Sequence, residues 1–374
     1  MASQGFRAGG RSSAVELPDA WYVACLSSEV GGRRAVGRVV HGTPLCLFRE
    51  GSGRVGALLD RCPHRNVPLS LGRVRADGCL ECAYHGWRFD ASGACRAIPG
   101  LDSEDGDVGR RGRAAEPVPC VEQDGFVWVW PGSAEPPGGG PAFRFPCVGA
   151  PGYDTVRRSL RAAGTLHAVA ENALDVPHTA FLHGGLFRGA GRAPVEIDVV
   201  VRAGADRIEA EYIGEPRPPG VAGRLLAPGG GVVQHWDRFI LPSIAQVEYR
   251  LEDNHLLVTS ALTPVTPTET LLHSAVTFSL RVPHRVVKVL VPPLAGLIFA
   301  QDARILGRQA ETIARFGGEQ FASTEIDVLG QGILRLLRRA ERGEPGAAPT
   351  GAAAAGDDAA AAAPPPERRL RLRL

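Results

Sequence analysis

The sequence predicts an α+β protein of two domains, and three observations carry that prediction. From Trp21 to about Pro131, short β-type runs alternate with Gly, Pro and Asp turns. A turn-rich bridge, PGSAEPPGGGP, then interrupts the chain. From about residue 142 to 342, β-branched runs are bracketed by helical patterns. A chain of 374 residues has room for two domains of ordinary size. The expected layout is a flexible N-terminus at 1–17, an all-β domain at 18–141, an α+β domain at 142–342 and a disordered low-complexity tail at 343–374.

The elements follow in order. The first domain supplies WYVACL, RVVHGTPLCLF, RVGALLD, GWRFD and GFVWVW, rich in the β-branched and aromatic residues that fit a pleated surface. The second opens on a helical stretch near 162–182 and continues as VEIDVVVRA, RIEAEYI, VVQHWDRFIL, AQVEYRL, HLLVTSAL and LLHSAVTFSL. Two helices close it, IFAQDARILGRQAETIARF and IDVLGQGILRLLRRAE. Beyond residue 343 Ala, Gly and Pro dominate, and the terminal arginines read as a solvated tail rather than a lipid or partner contact.

Composition excludes several function classes. A net charge of +2 with both signs spread along the chain leaves no nucleic-acid footprint. Only one of the 42 basic residues is a lysine, Lys288, which with the abundant Ala, Gly and Pro reads as coding bias. The eight cysteines are scattered and the start MASQGFRAGG lacks the apolar core of a secretion signal, so a reducing, cytoplasmic setting is expected. The most apolar run, Val289 to Ala300, has twelve residues and two prolines, short of the roughly 20 needed to cross a bilayer.

Chemistry concentrates first in RCPHRNVPLSLGRVRADGCLECAYHGW. Cys62 and His64 form a C-x-H pair, and Cys82 and His85 form a C-x-x-H pair after a 17-residue gap. A Rieske [2Fe-2S] cluster needs two thiolates on one iron and two imidazoles on the other, which calls for two mixed pairs on facing loops. A Cys2His2 zinc site is the alternative, although zinc modules seldom use the tight C-x-H spacing. Cys79 makes a C-x-x-C with Cys82, but only Cys82 stands the right distance before His85.

A second constellation lies in Glu171-Asn172-Ala173-Leu174-Asp175-Val176-Pro177-His178-Thr179-Ala180-Phe181-Leu182-His183. A mononuclear non-haem iron that works on oxygen wants two imidazoles and a carboxylate on one face. His178 and His183 are the candidate imidazoles. Five residues apart, they do not share a continuous helix face, so a π-type irregularity or a helix end is expected between them. Asp302 is the expected carboxylate, opening a helix behind the apolar run, with an N-cap as its plainer role. Glu171 and Asp327 are in reserve.

With these residues in place, the stretch from about Trp21 to Arg338 resembles the catalytic subunit of Rieske non-haem iron oxygenases. The Rieske motif continues through Gly86 and Trp87, Asn172, Asp175, His178 and His183 match the family's N-x-x-D-x-x-H-x-x-x-x-H, and Asp302 matches its late aspartate. High-potential respiratory Rieske proteins carry two further cysteines where this chain has Val67 and Tyr84, which places the cluster at the low end of the range of about −150 to +300 mV. The resemblance implies a β Rieske domain followed by a helix-grip, START-like domain whose antiparallel sheet wraps a long C-terminal helix.

The resemblance also implies roles. Asp175 looks like the bridging carboxylate between a cluster histidine of one subunit, here His85, and an iron histidine of its neighbour, here His178, in a head-to-tail homotrimer. Electrons would come from NAD(P)H through a reductase or ferredoxin, with O2 as co-substrate. The chain's length is closer to the homomeric monooxygenase and demethylase branch, so hydroxylation, demethylation or desaturation of an aromatic, alkaloid, sterol or other natural product is favoured. A cis-dihydroxylating aromatic dioxygenase is the alternative, and a Rieske electron carrier fused to a ligand-binding domain is a non-enzymatic one. Strand alternation in GVVQHWDRFIL sets Gln234, Trp236 and Arg238 against His235, Asp237 and Phe239, and one of these faces should line the cavity, with Leu186 and Phe187 as further candidates for apolar lining.

Overall fold

The computed structural model describes residues 12–101, 108, 110–183, 196–216, 231–251, 253–280, 284–344 and 367–373. They fall into two units, Pro18–Arg144 and Phe145–Leu374 with Met1–Leu17.

The first unit is built from three small antiparallel sheets. Strands β1 (Tyr22–Leu26), β9 (Cys120–Gln123) and β10 (Phe126–Val129) pair in the order β1-β10-β9. A second sheet is the meander β2 (Val36–Val40), β3 (Thr43–Arg49) and β4 (Val55–Leu59). The third joins β5 (Arg73–Val74), β6 (Leu80–Glu81), β7 (Arg88–Phe89) and β8 (Cys95–Ala97). β3 is buried on both faces, which explains its unbroken apolar run. Leu45 and Leu47 pack with Tyr22, Val127 and Val129, while Cys46 and Phe48 turn to a second core containing Leu69, Leu80 and Phe89. That second core also holds Cys62 and Cys82, so the candidate cluster thiols sit on rigid packing.

The second unit is one eight-stranded antiparallel sheet with helices packed on it. Its strands are β11 (Asp154–Ala163), β12 (Glu196–Ala203), β13 (Arg207–Pro216), β14 (Val232–Ile240), β15 (Ile244–Leu251), β16 (Asn254–Thr266), β17 (Glu269–Ser279) and β18 (Glu367–Arg373). Their spatial order is β11-β17-β16-β15-β14-β13-β12-β18. The long helix His284–Phe316 packs on β11, and the last helix, Gly330–Glu341, packs on the helix Leu166–Ala173 and on β13. Ile333, Leu336 and Leu337 form the buried stripe of that last helix, and Gly332 lets it pack closely on Ile208, whose Cδ1 would lie 2.1 Å from a Cβ there.

Four expectations are corrected. The stretch near 162–182 is not one helix. Thr165 caps Leu166–Ala173 by accepting from the Ala168 N–H, the helix ends at Leu174, and His178–Leu182 begins anew after Pro177. Pro177 biases Val176 away from the helical region, which breaks the run. The N-terminal segment is fixed from residue 12. Ser13 is buried, shares a 2.7 Å hydrogen bond with Thr165 and donates to Glu319 at 2.8 Å, and Val15 enters the core. The tail is not wholly disordered either, because Glu367–Arg373 pairs with β12 along seven residues. Its Arg-Leu alternation is a strand pattern, which compositional bias upstream conceals: Leu370 and Leu372 point to the core while Arg371 pairs with Asp198. Asp302, finally, lies in the interior of the long helix rather than opening one, since the apolar run Val289 to Ala300 is itself helical.

The outer face of the sheet carries an ion network centred on Glu248, which accepts from Arg238 and Arg250 and from His255. Burial would raise its carboxyl, but His255 and the two guanidinium groups hold it down to about 2 from an ordinary 4.5. A depressed folded value means that the stabilisation is complete above about pH 4.5 and is lost as pH falls toward about 2. Glu248→Gln should therefore cost about 2–3 kcal/mol at pH 7 and clearly less at pH 3. Urea midpoints of both proteins at the two pH values measure this, and a gap independent of pH would place the stabilisation elsewhere.

Candidate metal centres

In the first unit, two loops follow the same backbone path. The Cys62 N–H donates to Val67 O at 2.9 Å and the Asn66 N–H to Cys62 O at 2.9 Å. The Cys82 N–H donates to Trp87 O at 2.8 Å and the Gly86 N–H to Cys82 O at 3.1 Å. The fifth residue of each loop is left-handed, Asn66 at φ 59 and Gly86 at φ 71, conformations that Asn and Gly adopt at least cost. A repeated path presents repeated ligands. Cys62 and Cys82 are buried next to one another, and the His64 and His85 rings lie 4.5 Å apart. Trp87 stacks on His64 at 4.8 Å, and Tyr84 covers His85 at 3.9 Å.

This donor set fits a [2Fe-2S] cluster. Burial pushes the Cys62 thiol up to about 11; the backbone N–H groups of His64 and Arg65 oppose that, and the neighbouring Cys82 adds to it. Two sulfurs crowded in this way need a cation to become thiolates together. His64 Nδ1 is buried without a hydrogen-bond partner, as a ligand nitrogen would be without its metal. Cys79 lies outside the pair of loops, its N–H donating to Asp77 Oδ1.

In the second unit, the break at Pro177 and the short helix after it bring distant donors together. His178 starts the helix His178–Leu182, and His183 ends it with φ −104 and ψ 34, so a helix end does lie between them. Their Nε2 atoms are 3.2 Å apart, and Asp302 Oδ1 lies 3.5 Å from the first and 3.1 Å from the second. Two octahedral ligands at right angles, each about 2.1 Å from a metal, stand about 3.0 Å from each other, so this triangle fits a facial two-histidine, one-carboxylate site. Ligand atoms of His178, His183 and Asp302 all lie within 4.8 Å of one another, close enough to hold one ion. Glu171 and Asp327 line a different, open groove.

The electrostatics agree with a cation site. Burial alone would lower the His178 imidazole, but Asp175 and Asp302 outweigh it and hold it up to about 9. Burial would raise Asp302, yet the two imidazoles bring it below the usual carboxylate range. Asp175 Oδ2 accepts from the His178 backbone N–H at 3.2 Å and stands 3.4 Å from its Nδ1. His183 Nδ1–H donates to Gln301 Oε1 at 2.7 Å, which leaves the Nε2 lone pair facing His178 and Asp302. Gln301 escaped the sequence reading because adjacent positions on a helix diverge, and only the neighbouring His183 shows that Gln301 and Asp302 serve one imidazole.

The triad opens on a cavity of about 210 Å³ walled by the inner face of the sheet and by the long helix. Of the two faces of β14, it is His235 and Asp237 that line it. Leu186 and Phe187 lie outside the described residues.

Residues 20–121 match the Rieske [2Fe-2S] domain, and residues 163–343 match the vanillate O-demethylase oxygenase C-terminal domain. The chain belongs to the Rieske non-haem iron oxygenases. Its cofactors are accordingly a Rieske [2Fe-2S] cluster and a mononuclear iron. This Rieske oxygenase is 34% identical over 202 residues to the oxygenase component of dicamba O-demethylase from Stenotrophomonas maltophilia, an alignment covering 52% of each chain. It spans about half the length of that relative. It is 26% identical to the vanillate O-demethylase oxygenase subunit of Pseudomonas sp. (strain HR199 / DSM 7063), covering 88% of this chain and 96% of the other. The crystal structure of dicamba monooxygenase bound to 3,6-dichlorosalicylic acid superposes with a TM-score of 0.72 at 25% identity, covering 88% of this chain and 99% of that one. Among the described residues of the oxygenase, no helix is long and apolar enough to cross a membrane.

Proposed function

We propose that this chain is the oxygenase component of an electron-transfer system that hydroxylates, demethylates or desaturates a small organic substrate. One observation carries the reading: His178, His183 and Asp302 turn their ligand atoms toward one point on the wall of an otherwise largely apolar cavity. The demethylase names of the two relatives above favour the monooxygenase branch.

The residues take the following parts. Cys62, Cys82, His64 and His85 hold the cluster, and His178, His183 and Asp302 hold the iron. When bound, these groups supply single-electron delivery and the oxidation itself, with O2 as co-substrate. Gln301 sets the tautomer and ring orientation of His183. Asp175 caps the short helix and polarises His178, and Asn172 stands beside it on the cavity wall. The sheet and the long helix exclude water and keep the substrate near the triad.

An NAD(P)H-dependent reductase, directly or through a ferredoxin, is the electron source, and a homotrimer is the assembly. In the second unit, an open groove bearing exposed Phe181, Phe316, Phe321 and Ile326 leads to Asp175 and His178. That groove supports the approach of a neighbouring copy, whose His85 would reach Asp175. None of the eight cysteines is in a disulfide, in keeping with the cytoplasm.

Iron content tests the core of the proposal. About three irons per chain is expected for the oxygenase, and two for a fused electron carrier. NADH-dependent oxygen uptake with a surrogate reductase should follow, and its absence across aromatic, alkaloid and sterol panels would count against the enzyme.

A further inference from the structure

The wall of the same cavity carries a polar notch that no iron ligand accounts for. Register sets residues of neighbouring strands side by side on the inner face of the sheet. Leu272 and Leu262 stand in one such row, and Val276, Val258 and Val247 in another. The row between them reads Ser274, Ser260 and Ala245, with Arg158 beside Ser274 on the edge strand β11. Three small side chains flanked by branched ones hollow the wall, and Ser260 and Ala245 line the cavity there.

Ser260 is 4% exposed and Ser274 2%, and their Oγ atoms share a hydrogen bond of 2.7 Å. Two hydroxyls carry two hydrogens, and the bond between them uses one. The second hydrogen has no side-chain acceptor among the described residues, and the carbonyls of β16 and β17 are engaged with the strands on either side. With Ser274 donating to Ser260, that hydrogen sits on Ser260, at the cavity surface. A buried hydroxyl hydrogen left unpaired is costly, and two alanines would pack here without that cost. The pair therefore has a use for the donor.

We infer that Ser260, oriented by Ser274, is a specificity residue that donates a hydrogen bond to a neutral carbonyl or ether oxygen of the substrate. This inference rests on the reading of the cavity as the substrate pocket of an oxygenase. Arg158, the charged member of the row, is exposed and does not line the cavity, so the notch offers a hydrogen and no charge. An ionised group placed against Ser260 would be buried without a counter-charge, whereas a carbonyl needs only the one donor. The remainder of the substrate packs on the leucine and valine rows.

The test is equilibrium binding of acetophenone and α-methylstyrene to the iron-loaded protein, kept free of reductase. The two probes have nearly the same shape and differ in carrying C=O or C=CH2. Ser260→Ala should weaken acetophenone about threefold to tenfold and leave α-methylstyrene within about twofold, with iron content unchanged. In infrared difference spectra of the unsubstituted protein, the carbonyl stretch of bound acetophenone should fall below its value in hexane, and Ser260→Ala should return it toward that value. A substitution that moves both probes equally or neither, a carbonyl stretch equal to that in hexane, or no measurable binding of acetophenone would each overturn the inference. The infrared measurement on the unsubstituted protein stands even where the variant folds poorly. Failure of the oxygenase reading shows separately, as two irons per chain instead of three.

Discussion

Replacing Asp302 with alanine is expected to strip the mononuclear iron and lower turnover by about a thousandfold or more, while the cluster's visible spectrum is retained. The two imidazoles would remain 3.2 Å apart, but the anionic member of the triangle would be gone. Iron would then have to bind between two nitrogens with no negative charge to offset its own, in a buried pocket where charge is costly. The cluster should survive because the four residues proposed to hold it sit in a separate unit with its own cores. Metal analysis should fall from about three irons per chain to about two. Retention of the third iron would show that Asp302 is not a ligand, and the helix-interior position would then need another explanation.

Asp175→Asn is expected to do the opposite: keep about three irons and lose about a hundredfold or more in turnover. Asparagine can still accept the His178 backbone N–H through its side-chain oxygen, so the start of the short helix and the position of the ligand should persist. What disappears is the charge 3.4 Å from His178 Nδ1. That charge is one of the two that hold the imidazole up against the effect of burial. Steady-state oxygen uptake with reductase, read beside metal content, separates the two effects. A rate equal to that of the unsubstituted protein would remove Asp175 from electron delivery and leave it a cap.

The two carboxylates also differ in their sequence distance from the histidines they serve. Asp175 stands three residues before His178, close enough for local spacing to suggest contact. Asp302 stands 119 residues beyond His183, and its place was legible only through a family pattern. The expectation that it opened a helix fails because the apolar run before it, two adjacent prolines included, belongs to the same helix, which starts at His284. Gln301 had no local signal, since its partner is contributed by another element.

The closing strand of the chain teaches a related lesson. Its Arg-Leu alternation was visible, but a seven-residue edge strand gains stability only from the partner it pairs with, and β12 lies more than 160 residues earlier. Glu215 is the sharper case. Strand periodicity directs it to the outer face, and only the bulge beside Gly214 reverses that direction.

By itself, the sequence determined the donor types and their local spacing, the two-domain α+β plan, and the alternation that puts His235 and Asp237 on one face of β14. These are properties of a few consecutive residues, governed by ligand chemistry and by the periods of helix and strand. Only the tertiary structure decided where on its helix the expected carboxylate Asp302 stands, which glutamine orients one of the histidines, and that an acid from a bulge faces the same cavity. Those depend on long-range packing and on a single-residue slip in register, which no local pattern encodes.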